Sequence, residues 1–192
     1  MYKFTVFFLI LITALALTGM AQNSEEEVKE AVPLILKALN YNQTIQEKIK
    51  DDCVIAVLYN PQSTESEREM ETIKKALEKN DNIKVHGKKI KVLVLPVDNT
   101  TNLEKQIIIK KINAYWVSSN LNGFSKKIRE SAKYNKVITL SNDSDMVASA
   151  LAVLGTQKTD SGRKLLVNMN EAENNKQDFS ENMLSTAILI NE

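Results

Sequence analysis

Two spacings of apolar residues run through this chain, and they alternate. Short continuous runs of β-branched and aliphatic residues read as strands buried on both faces. Longer stretches with apolar residues three and four apart read as amphipathic helices. Glu25-Glu26-Glu27 opens the first such helix. Acids suit its positive end, Ser24 is a candidate cap, and Val28, Val32, Ile35, Leu36 and Leu39 form its apolar face. Pro33 lies inside this pattern, so the helix either starts late or kinks there. Cys53 to Tyr59 is an unbroken strand pattern ended by Asn60-Pro61-Gln62-Ser63. Thr64 or Ser63 then caps a helix over 65–79 that turns Met70, Ile73, Ala76 and Leu77 inward.

The alternation continues. Residues 83–85 and 90–97 read as strand material around a His86-Gly87 turn, and 103–112 as a helix capped by Asn102 or Thr101. A short strand over 114–118 precedes a helix over 123–134 with Phe124, Ile128 and Ala132 inward. Residues 137–140 form a strand that ends in Ser141-Asn142-Asp143-Ser144. Residues 148–156 and 164–169 read as two strands joined by Asp160-Ser161-Gly162, a hairpin signal. A last helix is expected over 179–190, with Phe179, Met183, Leu184, Ala187 and Ile188 on one face and Ser180 or Asp178 as cap. Helices alternating with short apolar strands predict βαβ units. The expected fold is α/β: a single three-layer domain with a mostly parallel central sheet, a C-terminal hairpin and a packed C-terminal helix.

The first 21 residues change the picture. A short positive start at Lys3 precedes an apolar run from Phe4 to Leu17, and Gly19 and Ala21 are spaced as a signal peptidase reads them before Gln22. The run is short for a membrane span. Residues 1–21 are therefore expected to be a signal peptide, and 22–192 an exported, periplasmic domain with no membrane span after processing. Removing Lys3 from the 25 basic residues leaves the mature chain balanced against its 24 acidic ones. A neutral exported domain has no global field to attract nucleic acid. Cys53 is the only cysteine, so no internal disulfide forms, and it is expected to pack as a small hydrophobe in its strand.

Catalytic chemistry is absent from the pattern. His86 is the only histidine; it sits in a turn among lysines and is expected to face solvent. The strand-to-helix turn at Asn60 lacks the glycines of a phosphate loop. Asp143 and Asp145 lack the Gly and distal Glu of a calcium loop and read as a capped turn. Lys84, Lys88, Lys89 and Lys91 read as a solvated strand face, and of Tyr115 and Trp116 one ring is expected in the core while the other is free to face a partner. No catalytic, cofactor-binding or metal-binding residue is assigned, no cofactor is expected, and the chain is read as a non-enzyme.

The C-terminal third resembles the YfiR-like family of periplasmic regulatory proteins. Val167-Asn168-Met169 with Ala172 is similar to that family's "I-N-L-x-x-A" element, and Phe179-Ser180 with Met183-Leu184 to its "[I/F]-S-x-x-L-L" helix. Residues 137–142 resemble its "LTVSD" strand with Asn142 in place of Asp, 54–58 its "ICVLG" strand, and 86–92 its "GRPVRV" step. The "FxxWP" element is missing at 39–43, and the paired cysteines of some members are absent. Lys176 replaces a Gly before the last helix, where Asn175 is positioned to supply a left-handed turn instead. The resemblance implies a regulator that binds the exported part of a membrane-anchored signalling protein, such as a diguanylate cyclase or sensor kinase, and restrains it. A homodimer is compatible with it. The rival reading is a small periplasmic solute-binding protein, whose ligand would sit at the carboxyl ends of the strands near Tyr59-Asn60 and Ser118-Ser119-Asn120.

Overall fold

The computed structural model describes residues 25–191. The expected signal peptide and the Ser24 cap lie outside the described residues. The chain folds as α1 (residues 25–38), α2 (Gln43–Lys48), β1 (Cys53–Tyr59), α3 (Thr64–Lys79), β2 (Ile90–Pro96), α4 (Leu103–Lys110), β3 (Ala114–Val117) and α5 (Ser125–Asn135). It continues as β4 (Ile138–Leu140), α6 (Ser144–Ala148), β5 (Leu154–Thr159), β6 (Gly162–Asn168), α7 (Met169–Asn174), α8 (Glu181–Leu184) and β7 (Ile188–Ile190). A seven-stranded sheet has the order β2-β1-β3-β4-β5-β6-β7. β2, β1, β3, β4 and β5 run parallel; β6 turns back antiparallel to β5, and β7 runs parallel to β6.

β1 is central because its side chains are apolar in both directions. Cys53, Ile55 and Val57 enter one core with α1, α2 and α3. Val54, Ala56 and Leu58 enter the other with α4, α5 and α6. This is the period-two alternation of a strand acting on a sequence with no polar member. β3 divides the same way, Ala114 and Trp116 to the first core and Tyr115 and Val117 to the second. Both aromatic rings are fully buried, so neither is free for a partner. Burial pushes the Tyr115 phenol pKa up and the Cys53 thiol up to about 12, which makes that thiol a packed, unreactive group.

Helix α1 continues through Pro33, and Val28, Val32, Ile35 and Leu36 are all buried. The Ser63 hydroxyl caps α3, Asn102 caps α4 and Asp143 caps α6, each accepting a backbone N–H of the first turn. Asn168 caps α7 through Glu171 N and donates to the Val147 carbonyl at 2.9 Å, so it is structural, as its position at a strand end predicts. Lys48 donates to the Asn135 and Lys136 carbonyls at the end of α5; burial, then the charge of Lys136, pulls its pKa down to about 8.

Six local expectations are corrected. The expected strand over 83–85 is only a bridge from Val85 to Lys88 across a tight turn, with His86 at φ 49° and Gly87 at φ 76°. His86 is not solvent-facing: its Nε2 lies 3.0 Å from both the Leu39 and Asn42 carbonyls, tying the turn to the end of α1. Residues 148–153 are not strand, because Asp143 nucleates α6 and the strand waits until Leu154. The final helix is one turn, α8, followed by β7. Lys176, not Asn175, takes the left-handed conformation before it, at φ 54°. Ser180 makes no capping bond, and its hydroxyl is buried without a partner. The tail is held by backbone instead. Gln43 N donates to Asp178 O and Ser180 N to Tyr41 O, while Asn42 Nδ2 reaches Gln177 Oε1.

Gly155 marks the tightest joint. A Cβ there would lie 2.6 Å from Val147 Cγ2 and 2.7 Å from the Ser141 carbonyl, so β5 enters the sheet only because this residue has no side chain. Gly155→Ala should destabilise the fold by about 2 kcal/mol by overpacking. Thermal denaturation should show a fall of about 4–8 °C; an unchanged midpoint would mean that this joint is loose.

Candidate functional site

The strand order creates one place where a ligand could enter. From β1 the chain moves to β2 on one side, and β3 then lies on the other, so the connections diverge at the carboxyl ends of β1 and β3. In open α/β sheets a crevice opens at such a point. Tyr59-Asn60 follows β1 and Ser118-Ser119-Asn120 follows β3, and the structure brings these two segments together.

The link is polar. The Ser66 and Ser118 hydroxyls, both buried, are 2.8 Å apart, and Ser66 Oγ also accepts the Asn60 N–H at 2.9 Å. Asn60 Nδ2 donates to the Asn120 carbonyl at 3.2 Å. Asn120, at φ 58°, turns its amide back to donate to Glu65 Oε2 at 2.8 Å and Ser63 Oγ at 3.2 Å. The first turn of α3 thus holds the β3 loop from beneath.

Glu69, one turn further along α3, spans two strand ends. Its Oε2 accepts the Ser119 N–H, and its Oε1 accepts Asn142 Nδ2 at 3.2 Å, while Asn142 Oδ1 accepts the Trp116 indole N–H at 3.3 Å. The indole is fixed in the core, so it orients the amide, which orients the carboxylate. The Ser119 side-chain oxygen beside this carboxylate is shielded from solvent and has no hydrogen-bond partner. At the end of β2, Asp98 Oδ1 accepts from the backbone N–H and the hydroxyl of both Thr100 and Thr101. Those bonds hold its carboxyl down to about 2. The strand ends therefore carry hydroxyls, amides and the carboxylates of Glu65, Glu69 and Asp98, and none of these carboxylates forms an ion pair with a described cation.

A concavity of about 300 Å³ lies elsewhere, between α5 and α7. Four of its five charged residues, all but Lys133, are paired within it. Arg129 pairs with the buried Glu171, which also accepts Asn174 Nδ2 at 3.3 Å, and Lys126 faces Glu130 at 3.9 Å. The Arg129–Glu171 pair holds α7 to α5, and removing Arg129 would leave the buried Glu171 carboxylate without its cation. Among the described residues no cluster of His, Cys, Asp and Glu could hold a metal ion, and no helix is long and apolar enough to cross a membrane. Sequence reasoning placed Asn60 and Ser118–Asn120 at the site but missed Ser66, Glu69 and Asn142. Ser66 and Glu69 sit near the start of α3, three residues apart, on a face that reads as solvated.

No family model matches the chain, and comparison with curated proteins finds no match. Solved structures do share the fold. The ABC domain of Streptococcus pneumoniae, in complex with L-Trp, is 16% identical with a TM-score of 0.50, over 88% of this chain and 60% of that one. A conserved domain protein from Vibrio cholerae is 17% identical with a TM-score of 0.53, over 77% of this chain and 57% of that one. A substrate-binding protein with adhesive properties from Clostridium difficile, in a ligand-free, open structure, is 15% identical with a TM-score of 0.52, again over 77% and 57%. The chain thus spans less than two thirds of the length of each. At these identities the likeness establishes the α/β fold.

Ser66→Ala should leave the Asn60 N–H and the Ser118 hydroxyl without their buried partner and cost about 1–3 kcal/mol. Urea denaturation measures it; a loss below a few tenths of a kcal/mol would show that the link between β1 and β3 is dispensable.

Proposed function

We propose that this chain is an exported, non-enzymatic protein that binds a small polar solute at the carboxyl ends of β1 and β3. The observation that carries the reading is the Glu69–Ser119–Asn120–Glu65 arrangement. It is an acceptor-rich, anionic ledge at the topological switch point, with a shielded hydroxyl that has no partner. Such a ledge suits a solute carrying a protonated amine, whose three donors match carboxylate and hydroxyl oxygens. Export rests on the leader expected over residues 1–21. The similar solved structures, one holding L-Trp and one a substrate-binding protein, favour this reading over the regulatory role that the YfiR-like resemblance implies.

A panel of amino acids and other amines, with carboxylates and sugars as contrast, tests the proposal by thermal shift and calorimetry. Amine-bearing solutes should raise the melting temperature. At a hundred times Kd the linkage is worth about 2.7 kcal/mol, or roughly 5–10 °C for a domain of this size. The Glu65→Gln/Glu69→Gln variant keeps acceptors but removes both charges, and should bind about tenfold or more weakly. Shifts that appear only with sugars or carboxylates, or binding unchanged in the variant, would refute an amine site on this ledge.

A further inference from the structure

The end of the molecule opposite the ledge carries a different surface. α4 and α5 pack against each other, and both return from the carboxyl to the amino edge of the sheet, so their last turns share one end. Lys127 of α5 donates to the Asp98 carbonyl just before α4, which turns the 127–131–134 stripe of α5 toward α4. Five large apolar side chains among the described residues are exposed, and three lie here: Ile108 at 69%, Ile109 at 64% and Tyr134 at 79%. Leu103 and Ile107 of α4 point into the core, so the two isoleucines occupy its outward face. Lys105, Lys110 and Lys111 rim them, all exposed. The acids at hand are Glu104, Asp51 and Asp52, and Asp51 meets Lys111 only in a solvated pair at 3.4 Å.

We propose that this end docks on the surface of an anionic phospholipid bilayer. A patch of three exposed apolar side chains is too small for a specific protein interface, which takes about 800 Å² from each partner. It is sufficient for shallow insertion, where isoleucine enters the acyl boundary and lysine stems reach the headgroups. The lysine rim also selects the partner: two copies of this patch would bring like charges together, whereas anionic lipid neutralises them. Each such lysine is worth about fivefold in partitioning. Docked this way, the strand-end ledge faces away from the bilayer and stays open to solute. That orientation rests on the proposed solute site; the lipid contact does not.

Co-sedimentation with vesicles tests the proposal, using protein recovered from the exported fraction after expression of the full chain. Equimolar phosphatidylglycerol and phosphatidylcholine should retain the protein at low salt and release it at high salt, while pure phosphatidylcholine should not retain it. Ile108→Ser/Ile109→Ser should weaken retention by about tenfold or more, and Lys105→Gln/Lys110→Gln, which removes two rim charges without touching the Lys111–Asp51 pair, likewise, with solute binding and melting temperature unchanged. Because every variant keeps the same N-terminus, the comparison isolates the patch. No retention on anionic vesicles, or retention equal in both variants, would overturn the proposal. So would a wild-type dimer that the isoleucine variant dissolves, since the patch would then be a self-interface.

Discussion

Burial of β1 on both of its faces is the constraint from which the rest of this structure follows. Seven consecutive residues, Cys53 to Tyr59, offer no polar face, so the strand is stable only with a helical layer on each side. α3 supplies one layer directly. The other requires the chain to pass β2, cross with α4 and pair β3 on the opposite side of β1. That crossing splits the apolar residues into two cores and creates the divergence at the strand ends.

The divergence has a polar consequence. Backbone groups at the ends of β1 and β3 run out of sheet partners, and buried N–H groups must still be paired. Ser66 and Glu69 of α3 meet that need for Asn60 and Ser119, and Asn142 brings the end of β4 into the same network. The groups that stabilise the loops are the same groups to which the proposed solute site is assigned, so on that proposal stability and recognition at this end are coupled. At the opposite end Asn113 accepts the Val54 N–H, and Lys48 and Gln177 donate to the carbonyls that end α5. There α4 finishes in lysines and exposed isoleucines, so the two proposed surfaces lie at opposite ends of the strands.

The layers were legible because period-two and helical patterns are strong where burial is complete. β1, the buried face of α3 and the hairpin at Gly162 follow directly from residue spacing. The errors fall where local runs were short. Residues 148–153 are apolar enough for a strand, but the Asp143-capped helix runs to Ala148 and the chain then turns before pairing at Leu154. Residues 179–190 carry a helical pattern, yet the tail is held by backbone bonds to 41–43 and ends as an edge strand, a tertiary choice invisible in spacing. His86 looked exposed because the carbonyls it meets lie more than 40 residues away. Glu69 looked like one more acid on a solvated helix, and only the register of α3 against β3 gives it a partner.

The central claim is that solute is held at the ends of β1 and β3. Nitrogen-edited amide spectra, recorded while titrating an amino acid that stabilises the protein, test it most directly. The account predicts that the largest shifts cluster at Asn60, Ser119, Asn120 and Asn142, with the indole N–H of Trp116 following through Asn142. Shifts centred instead on Lys133, Asn174 and Asn175 would place the solute in the cleft between α5 and α7 and contradict it.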